Sequence, residues 1–308
     1  MSELQVAATT GPAGVQTGSS GPPTPSGRVG RRGRPGAGGG TWRAVGTGPK
    51  ISAALMLVIV VLALAAPLLT PYDPLESDVT ARLVGPSSEH LLGTDVLGRD
   101  VFSRLFMGAR TSLASIVIAV AVAAAFAIPW GLLAGYLGGI WDEVLMRLAD
   151  GFIAFPGLVL ALAIAGVVGP SLGTTMATVG FVFAPTAARL LRTAVLPLPN
   201  ADYVLVSRSV GTSASRAALR HILPNAMAPL VVQLCALGSL ALLIEASMSF
   251  LGLGVQPPAP SWGADLSLAY QQFTSAPLLT VAPGLLITLL AFLLTQIGAG
   301  LRVLLRTE

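Results

Sequence analysis

Charged side chains are scarce in this sequence. The 308 residues include 18 lysines and arginines and 14 aspartates and glutamates, which together make up 10% of the chain. Soluble domains carry about 25% charged residues. Hydrophobic residues make up 53% of the chain, and the mean hydropathy is +0.77. So few charges exclude a water-soluble surface, and the composition indicates an integral membrane protein.

Residues that carry chemistry are also few. The single cysteine, Cys235, lies in an apolar run and is interpreted as a small core residue. His90 and His221 are far apart and lack cysteines or carboxylates at ligand spacing, so no metal site is expected. The single lysine, Lys50, follows Pro49 and not the glycine of a phosphate-binding loop. We therefore expect no enzyme activity and no cofactor in this chain, and any ATP must bind to a partner.

Residues 1–50 differ in composition from the rest of the chain. They contain 13 glycines, six prolines and a basic cluster of Arg28, Arg31, Arg32 and Arg34. Such a segment buries too little apolar surface to offset the entropy lost on ordering it. We predict a disordered basic tail, whose arginines act as a topological signal or contact lipid headgroups.

Six long apolar runs predict six membrane-spanning helices. A helix of about 20 apolar residues crosses the hydrocarbon core of a bilayer. The predicted class is therefore an all-α polytopic membrane protein, with a polar segment at 71–110 and a short C-terminal end at 303–308. The apolar runs are 51–70, 111–135, 152–168, 172–196, 226–250 and 278–301.

The distribution of basic residues predicts the orientation, because lysine and arginine are enriched on the cytoplasmic side. With the N-terminus inside, the tail, the 136–151 loop, the 189–225 segment and the C-terminus hold 6, 1, 5 and 2 basic residues, 14 of the 18. Both termini are therefore predicted to be cytoplasmic, in the plasma (inner) membrane, and the segment before the second helix extracytoplasmic. In that external segment we expect Asp95, Arg99 and Asp100 to pair with one another rather than with substrate.

A polar, basic segment interrupts the apolar sequence at 201–225. It contains Arg208, Arg216, Arg220 and His221 between two apolar runs. On charge alone, these residues could be a topological signal on the cytoplasmic side. They could equally form a docking surface for a soluble partner.

Local signals predict a helix–turn–helix in this segment. The two short helices are 201–210 and 213–221, and Gly211 between them is able to adopt a positive φ. Pro224 is expected to open the next span, because its missing N–H costs nothing in a first helical turn.

The same segment resembles the cytoplasmic coupling loop of permease subunits in the dipeptide/oligopeptide/nickel class of ATP-binding-cassette (ABC) importers. In that family a Tyr-Val pair, an arginine and a glycine precede an H-I-L-P-N motif. The family's Glu-Ala-Ala core is replaced here by Leu-Val-Ser at 205–207, which removes a polar contact to the ATPase. The matching residues are Tyr203, Val204, Arg208, Gly211 and the motif at 221–225.

Further motifs in the same order extend this resemblance over nearly all of residues 51–302. They are HLLGTDVLGRDVFSRLFMGARTSL (90–113), LAGYLGGIWDEVLMRLADGFIAFPGLVLA (133–161) and IEASMSFLGLGVQPPAPSWG (244–263). Near the C-terminus, Gln296 and Ala299 depart from the family's pattern. The resemblance implies the type I ABC importer permease fold, with the permease domain over 111–302.

The resemblance also implies a function and a set of partners. The chain would translocate di- or oligopeptides, or alternatively a nickel chelate or another small solute. It would pair with a second permease subunit, two ATPase subunits that bind ATP and Mg²⁺, an extracytoplasmic peptide-binding protein and membrane lipid, and with no nucleic acid. The residues implied in ATPase coupling are Tyr203, Arg208, Gly211, Arg216, His221, Pro224 and Asn225.

One observation bears on the rival hypothesis of an ion-coupled carrier. Such carriers usually need ionisable groups inside the membrane. Apart from Glu245, the predicted spans contain no aspartate, glutamate, histidine or lysine. This disfavours ion coupling and favours energy delivered from outside the bilayer.

Overall fold

The computed structural model describes residues 45–169 and 171–305, and this part of the chain is mostly helical. The predicted all-α class is confirmed, since these ranges hold no strand beyond an isolated bridge between Thr94 and Asp100. The ten helices in these ranges are α1 (Thr47–Leu69), α2 (Val101–Leu137), α3 (Gly139–Ile153), α4 (Gly157–Val168), α5 (Leu172–Val195), α6 (Asp202–Ser209), α7 (Ala214–Ala217), α8 (Leu223–Phe250), α9 (Trp262–Ala269) and α10 (Pro277–Leu304).

The six predicted spans correspond to five single crossings and one bent pair. The single crossings are Thr47–Leu69, Val101–Leu137, Leu172–Asn200, Ala214–Phe250 and Pro277–Leu304. The pair is α3 and α4, which meet at an angle of 86°.

The bend corrects the prediction of one continuous helix over 152–168. The break lies at residues 154–156, between the end of α3 and the start of α4. Pro156 cannot donate a backbone hydrogen bond, and its ring disfavours the helical conformation at Phe155. The chain therefore changes direction at this proline, and α3 occupies the stretch that was predicted to be the 136–151 loop.

The first helix begins earlier than expected. Helix α1 starts at Thr47, so the last residues of the predicted 1–50 tail are helical. Pro49 lies in the first turn of the helix, where the missing N–H of a proline removes no intrahelical bond. Up to residue 44, the predicted tail lies outside the described residues.

The second helix also begins earlier, at Val101 and not at residue 111. Its N-terminus is capped by Asp100, whose carboxylate accepts a hydrogen bond from the Ser103 N–H at 2.8 Å. Arg104 lies within the predicted polar segment at 71–110, but it is buried in the fold. The predicted external segment thus ends at residue 100, where α2 begins.

The predicted end of the second short helix at His221 is wrong. From Ala214 to Phe250 the helical run is continuous, and it passes through a π-helical turn at Ala218–Ile222. In this wider turn the Leu223 N–H bonds to the Ala218 carbonyl. The wider turn accommodates Pro224, whose ring would clash with the carbonyl four residues earlier in a regular α-helix. The coupling segment therefore runs directly into α8.

Helices α2 and α5 pack against each other at backbone distance. At Gly180 a Cβ would meet the Ala119 carbonyl oxygen and lie 2.9 Å from Val122 Cβ. At Gly131 a Cβ would meet the Ala188 carbonyl oxygen of the facing helix. Small residues at such points allow the close approach on which helix association in lipid depends.

This packing predicts the effect of adding one methyl group at the contact. We expect Gly180→Ala to force α2 and α5 apart and to lower stability by about 1–3 kcal/mol, as overpacked cores do. The measurement is the thermal unfolding midpoint of the purified chain in detergent. Gly166→Ala is the matched control, because a Cβ there meets nothing within 4 Å. Equal midpoints for the two variants would contradict the close packing.

Candidate functional site

The coupling segment, residues 201–225, forms a helical hairpin. Helix α6 ends at Ser209, and the chain turns at Gly211, which adopts a φ of +86°. Glycine adopts this conformation without the steric cost that a Cβ imposes. The Thr212 N–H donates to the Ser207 carbonyl at 3.1 Å and closes the end of the helix. The turn expected at Gly211 is therefore present.

One face of the coupling segment belongs to the core. Val204 and Ile222 are fully buried in a cluster that includes Leu191 of α5 and Leu230 of α8. Burial of this face fixes the segment against the ends of both spans, with about 25 cal/mol stabilisation for each Å² of apolar surface removed from water.

The opposite face of the coupling segment is exposed and partly apolar. Val206 is 62% exposed and Val210 is 78% exposed. A Cβ added at Gly211 would meet nothing within 4 Å. Exposed apolar surface rimmed by polar residues is typical of a protein–protein contact. The geometry therefore provides a rigid, shaped surface with room for a partner.

The structure brings three of the implied coupling residues together. The Asn225 side-chain amide donates to the His221 carbonyl at 2.6 Å and makes a long contact with the Tyr203 hydroxyl at 3.4 Å. These bonds link α6 to the start of α8. Pro224 lies beside them and is exposed.

The remaining coupling residues are placed differently. Gly211 and Arg216 are both exposed, at the turn and in α7. Arg216 has no hydrogen-bond or ion-pair partner within residues 45–169 and 171–305. The side chain of Arg208 lies outside the described part of the structure. An unpaired arginine on the exposed face is available to a carboxylate of another chain.

Two ion pairs fix α3 against the end of α5 next to the coupling segment. Arg192 Nη2 lies 2.5 Å from Asp142 Oδ2, and Arg189 pairs with Asp150. From the sequence, both arginines count only among the five basic residues of the predicted cytoplasmic 189–225 segment. Their partners lie 39 and 50 residues away in sequence, so no local pattern identifies them.

The pairing expected in the predicted external segment forms in part: Arg99 pairs with Asp95, whereas Asp100 bonds to His90. Arg99 Nη2 lies 2.6 Å from Asp95 Oδ2, and His90 Nδ1 lies 3.0 Å from Asp100 Oδ1. Asp100 thus caps α2 and contacts a histidine of the same segment. These contacts hold residues 90–100 as one folded unit over the start of α2.

A second external ion pair was not predicted. Arg104 of α2 contacts Asp265 of α9 through Nε at 2.9 Å and Nη2 at 2.5 Å. Its third nitrogen, Nη1, donates to the Pro74 carbonyl at 2.9 Å. Burial raises the pKa of Asp265 above the usual range, while the neighbouring guanidinium opposes that shift. Arg104 therefore joins three separate parts of the external end.

Glu245, near the outer end of α8, is fully buried. Its Oε1 accepts hydrogen bonds from Ser249 at 2.8 Å and from Ser261 at 3.0 Å. Ser249 in turn accepts the Val255 N–H at 3.1 Å. The carboxylate therefore ties the loop after α8 to the helix itself.

The carboxylates of the external end thus bond to arginines, hydroxyls and backbone groups. Across the described ranges, no three or more histidine, cysteine, aspartate or glutamate residues lie together in a way that could hold a metal ion.

Comparison with known proteins places this geometry in a family. Residues 127–303 match the family described as "Binding-protein-dependent transport system inner membrane component". The dipeptide transport system permease protein DppC of Alkalihalophilus pseudofirmus is 40% identical over 243 residues, which cover 79% of this chain and 80% of the relative. The di/tripeptide permease DppC of Pseudomonas aeruginosa is 42% identical over 253 residues, covering 80% and 84%. The glutathione permease GsiD of Pectobacterium atrosepticum is 39% identical over 248 residues, covering 80% and 82%.

A solved structure shares the fold. It is titled as inward-facing conformations of the MetNI methionine ABC transporter, and one of its chains aligns with a TM-score of 0.52 at 18% identity. The alignment covers 64% of this chain and 93% of that chain. The expected ABC importer permease fold is confirmed.

The ion pair between Arg104 and Asp265 predicts that a substitution of Asp265 lowers the stability of the fold. Asp265→Asn removes the charge that compensates buried Arg104, and breaking such a pair typically costs about 3–5 kcal/mol. We expect a clearly lower thermal unfolding midpoint of the purified chain. The control is Glu143→Gln, since Glu143 and Arg147 are exposed and 3.9 Å apart. Exposed pairs contribute about 0–1 kcal/mol. A midpoint for Asp265→Asn as high as that of the control would show that the pair does not stabilise the fold.

Proposed function

This chain belongs to the family of binding-protein-dependent transport system inner membrane components, and from that premise we propose that it translocates di- and oligopeptides in an ATP-driven importer. The observation that carries the substrate class is the similarity to peptide permeases: a dipeptide, a di/tripeptide and a glutathione permease are each about 40% identical over roughly four-fifths of the chain.

The chain itself is a transport subunit, and ATP and Mg²⁺ are bound by two separate ATPase subunits. In this proposal the exposed face of the coupling segment docks on one of them. Gly211 shapes the turn, and Arg216 and Arg208 supply positive charge. The buried face of the segment supports the proposal, because it joins the docking surface rigidly to the ends of α5 and α8.

The continuous helix provides a route for the movement. ATP binding closes the ATPases and displaces the coupling segment. Because Ala214–Phe250 is one helical run of 37 residues, that displacement reaches the outer end of α8 without an intervening loop. Together with a second permease subunit, the chain alternates between inward-open and outward-open states, and an extracytoplasmic binding protein delivers the peptide.

We propose that the coupling segment and both termini are cytoplasmic, and cysteine labelling checks this orientation. In a Cys235→Ala background, an impermeant thiol reagent added outside should modify Gly85→Cys and not Ser215→Cys. Both positions are exposed, and a Cβ at Gly85 meets nothing within 4 Å, so neither substitution disturbs packing. Modification of position 215 from outside would reverse the topology.

The coupling role predicts the effect of a bulky residue at the turn. Gly211→Val should cost at least about 1 kcal/mol, because a β-branched residue disfavours a positive φ. It also adds bulk to the proposed contact surface. In vesicles containing the complete complex, we expect dialanine uptake by the unaltered chain, and loss of both uptake and peptide-stimulated ATP hydrolysis in the variant.

The matched control is Gly138→Val. Gly138 has a φ of +63°, lies in the cytoplasmic turn after α2, and has open space around its Cβ position. With a ψ of −161° as well, it tests a strained glycine backbone outside the coupling segment, and it should leave uptake coupled. Normal coupled uptake in Gly211→Val would refute the role of the segment. Uptake of a nickel–histidine chelate and not of dialanine by the unaltered complex would refute the peptide assignment.

A further inference from the structure

A groove opens between the cytoplasmic ends of three spans, next to the coupling segment. It encloses about 500 Å³, within the range of about 300–1,000 Å³ typical of small-molecule sites. Helices α5, α8 and α10 form its walls. We call it the cytoplasmic groove, and its lining residues are Leu190, Asn225, Ala228, Pro229, Val232, Gln233, Arg302 and Leu305.

Two polar side chains lie at different depths in this groove. Helices α8 and α10 run antiparallel, and a Cβ at Gly298 would lie 3.1 Å from Cys235 Cβ. Arg302, one turn further along α10, is therefore level with the part of α8 near Leu230 and Val231. Gln233 lies two to three residues further along α8, roughly 3–5 Å deeper at 1.5 Å per residue.

Both side chains lack a partner among residues 45–169 and 171–305. Neither Arg302 nor Gln233 forms a hydrogen bond or an ion pair within the chain described by the structure. At the same end of the molecule, Arg189 and Arg192 are both paired with aspartates. Among the described residues, the groove thus presents a positive charge without a counter-charge and, deeper, an amide without a partner.

This pattern discriminates between two occupants. An anionic lipid could place its phosphate on Arg302, but at the depth of Gln233 it offers only ester carbonyls and acyl chains, which cannot donate a hydrogen bond to the amide oxygen. A covered amide oxygen without a donor is unfavourable. A peptide provides a carboxylate for the arginine and, a few ångströms away, an amide that matches the glutamine side chain as both donor and acceptor.

We propose that the cytoplasmic groove is a peptide-contacting part of the transport pathway, in which Arg302 binds the terminal carboxylate and Gln233 binds a peptide amide. The inference rests on the proposed function as a peptide importer. It adds the residues that contact the substrate on the way to the cytoplasm.

Thiol protection in the complete complex tests the contact at Gln233. In a Cys235→Ala background, Gln233→Cys should react with a charged methanethiosulfonate added from the cytoplasmic side, and dialanine should slow this reaction. The matched control is Gln296→Cys on α10. Gln296 faces α1, where its Oε1 is 3.9 Å from the Cβ position of Gly48. We expect no protection at 296. Equal rates at 233 with and without dialanine would overturn the proposal.

Substitution of Arg302 tests the carboxylate contact. Arg302→Gln should lower dialanine uptake roughly tenfold, the loss expected when a charge-assisted hydrogen bond is removed, and Arg302→Lys should restore much of it. The binding protein's affinity for dialanine and the unfolding midpoint should not change. Val303→Ala, one residue along the same helix, is the control and should transport normally.

The outcomes separate this inference from the proposed function. If the unaltered complex imports dialanine but position 233 is not protected and Arg302→Gln transports normally, the groove is not part of the pathway. If the Arg302→Gln defect depends on the phosphatidylglycerol content of the vesicles and protection is absent, the groove binds lipid and the proposal is wrong. If the unaltered complex imports no peptide, the proposed function itself fails.

Discussion

Helices α2 and α5 approach to backbone contact, and both α3 and the coupling segment depend on that approach. Gly131 and Gly180 provide it, since a Cβ at either position would meet a carbonyl oxygen of the facing helix. In lipid, where apolar side chains gain little from leaving the solvent, such close packing is what holds helices together. Helix α3 is then held on α5 by ion pairs, and the coupling segment packs on the same pair through Ile222.

Charge is distributed sparingly, and each pairing has a structural consequence. Arg104 and Asp265 join α2 to α9 at one end of the molecule, and Arg192 and Asp142 join α5 to α3 at the end that carries the coupling segment. Buried charges need such partners because the desolvation cost of an unpaired ion is several kcal/mol. Arg216 and Arg302 have no such partner in the described chain. They lie at the two surfaces where we propose that other molecules bind.

Helix α8 connects the two ends of the molecule. Its cytoplasmic end continues from the coupling segment through the π-helical turn, and its outer end carries Glu245, which holds the following loop through Ser261. The wall of the cytoplasmic groove lies between them, at Gln233. A displacement at the proposed ATPase surface would therefore act on one helix that touches both the proposed peptide contacts and the loop after α8.

The sequence by itself determined the membrane class, the number of spans and the turn at Gly211, because these follow from composition, from the length of apolar runs and from one residue's conformational freedom. Two prolines have different effects on the helices that contain or precede them. Pro156 ends a helix, whereas the helix continues through Pro224, where a wider turn and the buried Ile222 preserve it.

Only the tertiary structure decided where α2 begins and which charges are paired. From sequence alone Arg104 would be placed in water, but in the fold it forms an ion pair with Asp265, 161 residues later in the chain. In the sequence Glu245 is a lone ionisable group in an apolar run, but in the fold its carboxylate accepts a hydrogen bond from the Ser261 hydroxyl. The groove between α5, α8 and α10 exists because distant helices converge. Such contacts depend on which side chains lie close together in the folded chain. Local sequence patterns do not determine this, because the partners are far apart in sequence.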